Sequence, residues 1–253
     1  MAKVNYKKAK DDLIHWINDF VGTYGNEDTK VVIGISGGKD STVVAAACAE
    51  ALGSSRVIGV MMPNGEQSDI DDSKRVCDIL GIEALTCNIG KTYNTMVEDF
   101  VGKEANNKVK TNLPSRLRMA TLYTIAATKN DGNCFVVNTS NLAEKLIGWG
   151  TLWGDTVGDF SPLGNMMVAD VIGIGRELNL PENLIVKAPA DGMTGKTDEE
   201  VLGYTYEDVD KAWNDFGSDL SLVRIFNNMS WKRALLSGLP CFEFSRDKYT
   251  KEV

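Results

Sequence analysis

The sequence predicts a doubly wound α/β fold, a parallel sheet with helices on both faces, and three observations carry that expectation. Short apolar runs of strand length alternate with longer stretches of helical spacing. Each strand-like run ends in turn residues, as at Gly34 to Gly38 and Pro63-Asn64-Gly65. The spacing of strand, helix and strand implies right-handed parallel crossovers, the pattern of a Rossmann-like sheet.

In chain order, Tyr6 to Gly22 carries Leu13, Ile14, Trp16, Ile17 and Phe20 at helical spacing, with Gly22 and Gly25 as stop signals. Val31-Val32-Ile33 reads as a buried strand and Thr42 to Ala47 as the start of a helix. Arg56 to Met62 gives a second strand, a helix opens at Asp69-Ile70-Asp71-Asp72, and Gly81 to Ile89 gives a short third strand. Thr92 to Gly102 reads as helical and Asn106 to Thr111 as a polar loop. From Asn112 a helix is expected whose apolar residues, including Leu113, Leu117, Met119, Leu122, Tyr123 and Ile125, cover nearly every face. Such a helix needs cover on more than one side, which suggests a homodimer; a central helix covered within the chain is the alternative. Cys134 to Val137 reads as the fourth strand. Asn165 is expected to cap a helix reaching Leu178, and helices are expected over Thr205–Phe216 and Leu220–Asn228.

At 253 residues one large core suffices, so residues 1–253 are expected to form a single domain. Lys plus Arg is 27 against 35 for Asp plus Glu, a net charge of −8, and no basic block appears. A nucleic-acid partner is therefore not expected. No run approaches membrane-spanning length, the N-terminus lacks an apolar signal region, and five cysteines show no Cys-x-x-Cys spacing. A cytoplasmic protein with reduced thiols and no membrane contact is the expectation. His15 is the only histidine, which excludes multi-histidine metal sites and argues against a Ser/His/Asp hydrolase.

The first chemical locus is Gly34-Ile35-Ser36-Gly37-Gly38-Lys39-Asp40-Ser41. Strand, glycine turn and helix N-terminus in that order make an anion site of backbone N–H groups, to which Ser36 and Ser41 add hydroxyls. It lacks the Gly-Lys-Ser/Thr spacing of a Walker loop and the Gly-x-Gly-x-x-Gly of a dinucleotide loop. Asp40 beside a polyanion calls for a cation between them, and magnesium fits that need.

The second locus, Asn138-Thr139-Ser140-Asn141-Leu142-Ala143-Glu144, leaves the C-terminal end of a strand as the first does. Thr139 offers a hydroxyl and Glu144 a second carboxylate for the same cation. Equally, Asn141 or Ser140 caps the next helix and Glu144 is solvated. Gly148 to Pro162, rich in glycine and tryptophan, reads as a binding or lid segment. Asp155 in it orients substrate or accepts a proton, or is a turn residue. Asp191 to Glu200 is a polar candidate flap.

Taken together these stretches resemble the ammonia-dependent NAD synthetases, members of the N-type ATP pyrophosphatases. The resemblance runs through Ser36 to Ser41, Met62 to Gly65 with Gln67 and Asp69, Asn112 with Arg116 to Met119, Asn138-Thr139 with Glu144, Gly154-Asp155 with Gly158 to Pro162, and Thr197 to Glu200 with Leu202-Gly203 and Tyr206. It implies the N-type ATP pyrophosphatase fold and the ATP-dependent amidation of deamido-NAD by ammonia, giving NAD, AMP and pyrophosphate through an acyl-adenylate. It further implies that Gly34, Ile35, Ser36, Gly37, Gly38, Lys39, Asp40, Ser41 and Thr139 contact ATP, and that Asp40 and Glu144 hold Mg2+. Arg116, Asp159 and Lys232 would contact deamido-NAD, with Asp155 at the reacting centre. The amidase domain of glutamine-hydrolysing members has no room in this chain. Many members have a lysine where Leu152 stands, another near Val168, a threonine near Ala190, and histidine at the position of Trp231. Two other readings stay open: another amidating or thiolating enzyme of the group acting on a nucleotide, and a non-catalytic ATP- or AMP-binding module.

Overall fold

The computed structural model describes residues 4–66, 70–102, 105–186, 198–216 and 218–250. The first helix, α1 (Tyr6–Tyr24), is capped by the Asn5 side chain, which accepts from the Lys8 amide, and it buries Ala9, Leu13, Ile17 and Val21. Those four lie four residues apart, one stripe on the helix. Then follow β1 (Lys30–Gly34), α2 (Lys39–Leu52), β2 (Val57–Met61), α3 (Ile70–Leu80), β3 (Glu83–Thr86) and α4 (Gly90–Thr95), which passes into a π-helical turn over Met96–Val101. The helix α5 (Asn107–Thr128) leads to β4 (Cys134–Val136) and α6 (Leu142–Ile147). The remaining helices are α7 (Val168–Glu177), α8 (Glu182–Ile185), α9 (Asp198–Leu202), α10 (Tyr206–Asn214), α11 (Leu220–Asn228), α12 (Ser230–Leu235) and α13 (Arg246–Tyr249).

The four strands form one sheet in the order β3-β2-β1-β4, every pairing parallel. Consecutive strands run outward from β1 to β3, and β4 then returns to the other side of β1. The connections reverse between β1 and β4, so a crevice opens at the C-terminal ends of those two strands, where sheets of this kind bind ligands. Helices α1, α2 and α7 pack on one face with Val31, Ile33, Val43, Ala47, Val171 and Ile174 in a buried core. On the other face α5 covers Val32, Ile58, Val60 and Val136. A third cluster joins α6 to α10 and α11 through Leu146, Tyr206, Val209 and Phe226.

Three local expectations change. The polar stretch after Asn106 is the first turn of α5, because the Asn106 side chain accepts from the Lys108 and Val109 amides and nucleates it. Asn165 is not a cap: Met167 precedes α7, and the Asn165 side-chain amide donates to the Phe242 carbonyl. Within this one chain α5 is not covered all round, since only Pro114 and Ala126 are fully buried along it. Among the described residues no helix is long and apolar enough to cross a membrane.

Candidate active site

The phosphate-loop motif folds as its residue types require. Gly37 adopts φ +77°, and a Cβ there would meet Asp72 Cβ at 3.0 Å and the Ser73 amide at 3.2 Å, so only glycine fits without strain. The helix begins earlier than its apolar run suggested, placing Lys39, Asp40 and Ser41 in the first turn of α2. Gly38 caps that turn without a side chain. A helix N-terminus with no side-chain cap offers its amides and positive dipole end to an anion. The Ser36 and Ser41 hydroxyls, 3.1 Å apart, brace the loop: Ser36 Oγ accepts from the Gly38 amide, and Ser41 Oγ donates to the Gly38 carbonyl.

Asp40 and Glu144, which the sequence separates widely, meet across the crevice through Asn141. Its side-chain amide donates to Asp40 Oδ1 at 3.1 Å, while its backbone amide donates to Glu144 Oε2 at 3.1 Å. Asn141 is also the N-cap of α6, its side-chain oxygen accepting from the Glu144 amide at 3.0 Å, so the two residues form a capping box. The cap reading of Asn141 is therefore right, and the solvated reading of Glu144 is not. Desolvation first, and then the charge of Asp40, push the Glu144 carboxyl up to about 8, against the opposing pull of Lys39 and the Asn141 amide. Lys39, almost wholly buried, turns inward, with Nζ 3.0 Å from Asp40 Oδ2 and 5.5 Å from the centre of the Tyr206 ring.

The glycine-rich segment is stitched down rather than loose. The Asn138 side-chain amide donates to the Asp155 and Val157 carbonyls at 3.0 and 3.1 Å, and the Thr151 amide donates to Asp155 Oδ1 at 2.6 Å. Lys232 Nζ donates to the Gly148 and Gly150 carbonyls, which directs its ammonium to the end of α6. Asp155 lies open to solvent, yet the surrounding protein desolvates its carboxylate and raises its pKa. Arg116, at the exposed rim, donates to the Leu152 carbonyl at 3.3 to 3.4 Å. Both carboxylate oxygens of Asp159 are engaged within the fold: Oδ1 accepts from Tyr123 at 3.3 Å and Oδ2 from the Val136 amide at 2.7 Å. Thr139 is half-buried between Asn138 and Ser140. Gln67, Asp69, Lys187, Ala190, Lys196, Thr197 and residues 191–197 of the flap expected over Asp191 to Glu200 lie outside the described residues, and the last three residues of that stretch open α9.

A family model for NAD synthase matches residues 10–235. The chain belongs to the NAD synthase family. The ammonia-dependent NAD synthetase of Thermococcus sibiricus is 38% identical over 212 residues, covering 83% of this chain and 81% of that protein. Among solved structures, the NMN synthetase of Francisella tularensis superposes with a TM-score of 0.81 at 27% identity, covering 96% of this chain and 100% of that one. The ammonia-dependent NAD synthetase of Campylobacter jejuni, in complex with nitrate, gives a TM-score of 0.72 at 27% identity, with the same shares covered.

Two residues near the site had no role assigned from the sequence of this NAD synthase family member: Arg118, inside the Arg116 to Met119 motif, and Tyr123, read only as an apolar residue of α5. Arg118 donates to the Met62 carbonyl at 3.0 Å and lies close enough to Asp155 to feel its charge, while burial lowers its pKa. Tyr123, pushed up to about 12 by burial and by Asp159, holds that carboxylate. Its place one turn from Met119 on α5 was the available signal. The departures divide: Val168 packs against the α6, α10 and α11 cluster, whereas Trp231 is 56% exposed.

Proposed function

We propose that this chain amidates deamido-NAD with ammonia at the expense of ATP, a ligase reaction forming a C–N bond. The observation that carries the reading is the meeting of Asp40 and Glu144 beside the uncapped N-terminus of α2. Family membership supplies the reaction class, and the site supplies groups suited to each step.

The triphosphate of ATP lies against Gly34, Ile35, Ser36, Gly37, Gly38, Lys39, Asp40 and Ser41, with Thr139 across the crevice. Among the described residues no cluster of three or more His, Cys, Asp or Glu exists that could hold a metal. Two carboxylates suffice for Mg2+, which keeps waters and takes its remaining oxygens from substrate phosphates. The fit rests on the donor set: Asp40 and Glu144 are oxygen ligands, one desolvated by its surroundings and both oriented by Asn141. Bound there, Mg2+ would offset charge on the phosphates as pyrophosphate departs.

A carboxylate resists attack by ammonia until its oxygen becomes a leaving group. The nicotinate carboxylate therefore attacks the α-phosphorus of ATP, forming the P–O bond of an acyl-adenylate as the bond to pyrophosphate breaks. The amides of α2 stabilise charge gathering on that leaving group. Ammonia then adds to the acyl carbon, AMP leaves with the bonding pair, and Asp155 takes the surplus proton. Its raised pKa brings it nearer neutrality, where a general base works best. Arg116, Asp159 and Lys232 orient deamido-NAD, Lys232 indirectly through the carbonyls it holds.

The chain acts as one domain, 1–253, and as a homodimer. Leu117, Leu122, Tyr123 and Ile125 of α5 pack against the sheet, whereas Leu113 and Met119, partly exposed, stand outside that cluster and leave apolar surface for a second copy. A reducing, cytoplasmic setting suits five free cysteines. The test is to follow NAD by mass with ATP, Mg2+, deamido-NAD and ammonium, omitting each in turn. NAD should form only in the complete mixture. ATP binding with no NAD under any condition would refute the reading.

A further inference from the structure

Behind Glu144, between α6 and the segment from Lys232 to Glu243, lies a cavity of about 390 Å3. Three cations line it: Lys145, Lys232 and Arg233, all partly buried. Among the described residues their hydrogen-bond partners are neutral. Lys145 Nζ donates to Cys241 Sγ at 3.6 Å, Arg233 Nη1 to the Leu146 carbonyl at 3.3 Å, and Lys232 to the Gly148 and Gly150 carbonyls. Two carboxylates share the lining, but Glu243 is exposed at the rim and Glu144 is bound to the Asn141 amide that also serves Asp40. The interior is left with an excess of partly desolvated positive charge.

The backbone makes room for this arrangement. A Cβ on Gly164 would lie 2.3 Å from Lys145 Nζ and 2.8 Å from Cys241 Sγ, so the ammonium and the thiol fill the space a side chain would take. The cavity also reaches Gly150 and Thr156, on the two sides of Asp155 along the chain. Its volume is near the lower end of small-molecule sites, about 300–1,000 Å3, which suits one nucleotide better than two.

Those features select for charge as well as size. Each phosphate of a pyrophosphate-linked dinucleotide carries one ester bond, one anhydride bond and one negative charge, whereas a mononucleotide ends in a monoester carrying about −1.5 to −2 at neutral pH. Two cations without carboxylate partners complement the monoester better. A solved structure similar to this one bears the name of an NMN synthetase. We propose that the cavity binds the phosphate monoester of nicotinate mononucleotide through Lys145 and Arg233, so that the chain amidates this mononucleotide as well as deamido-NAD. The inference rests on the amidation proposed above. The balance is the same: the nicotinate carboxylate displaces pyrophosphate from ATP, and ammonia displaces AMP, yielding nicotinamide mononucleotide and one proton.

The experiment compares kcat/KM for nicotinate mononucleotide and deamido-NAD in the wild type, Lys145→Met and Lys145→Arg. The wild type should turn over both. The mononucleotide-to-dinucleotide ratio should fall about tenfold in Lys145→Met, as expected for one lost charge-assisted contact, and recover in Lys145→Arg. Because Lys145→Met could fail to fold, thiol labelling of Cys241 in the wild type provides a second reading. Nicotinate mononucleotide should slow labelling, and nicotinate riboside, which lacks the phosphate, should not. Turnover of deamido-NAD without any of the mononucleotide would overturn the inference and leave the amidation standing, and so would an unchanged ratio or equal labelling rates. Turnover of neither substrate would overturn both.

Discussion

Asp40 and Glu144 are bound to the same residue, Asn141, whose side-chain amide takes Asp40 Oδ1 and whose backbone amide takes Glu144 Oε2, each at 3.1 Å. The first turn of α2 and the N-terminus of α6 are thereby tied at one residue, where the sheet's connections reverse. Asp40→Asn and Glu144→Gln should each cut magnesium-dependent pyrophosphate release by about 10²-fold or more, the scale seen when transition-state charge stabilisation is removed. Near-normal turnover in both variants would remove the metal assignment.

Glu144 also sets a pH dependence. Its pKa in the folded protein, about 8, lies above the ordinary carboxylate value, so between the two the folded state holds a proton that the unfolded state has released. Stability of the metal-free protein should therefore fall as pH rises through that window, by at most about 1.4 kcal/mol per unit. Urea melts from pH 5 to 8 would measure it. Glu144→Gln should flatten the profile; an identical slope in the variant would contradict the account.

Asn141→Ala removes the α6 cap and one contact to Asp40 together. Loss of an N-cap costs about 1 kcal/mol, so the variant should fold with a modestly lower midpoint. The KM for magnesium should rise in the variant, a change that a cap acting on stability alone would not cause.

Asp155→Asn separates the two halves of the reaction. Adenylation needs no base at this position, so ATP–pyrophosphate exchange dependent on deamido-NAD should persist. NAD formation should fall by about 10²- to 10⁴-fold, the range for a lost general base. Equal loss of exchange and amidation would assign Asp155 to binding instead.

Arg246 tests the scaffold away from the site. It bonds buried Asp170 at 2.9 Å and Asp210 through two contacts of 2.7 and 2.9 Å, tying the C-terminal segment to α7 and α10. Arg246→Ala leaves Asp170, 1% exposed, with Tyr6 and a backbone amide as its only partners among the described residues, and should cost about 3 kcal/mol. Denaturant melts would read it, and a cost under about 0.5 kcal/mol, the level of a surface change, would show the pair to be dispensable.

The strand, glycine turn and helix start over residues 34–41 were legible because their requirements are local: glycines, hydroxyls and an acid placed between a strand and a helix. The layered sheet was legible for the same reason, since each strand announces itself by an apolar run and a turn. What could not be read were relations between distant stretches. Asn141 could be recognised as a cap, but its bond to Asp40 spans 101 residues and exists only once β4 lies beside β1. Tyr123 reads as one more apolar residue of α5 until Asp159 is seen against it. Lys145 gains its meaning from the bare face of Gly164 and from Cys241, neither of which a helical wheel reveals. Asn165 misled because a good capping residue was free to bond a carbonyl far along the chain, at Phe242.

Activation of the nicotinate carboxylate by adenylation at the crevice between β1 and β4 can be followed with deamido-NAD labelled with oxygen-18 in that carboxylate, in the complete reaction. One labelled oxygen should appear in the phosphoryl group of AMP for each NAD formed, and none in pyrophosphate. Label in pyrophosphate, or unlabelled AMP alongside NAD, would contradict adenylation.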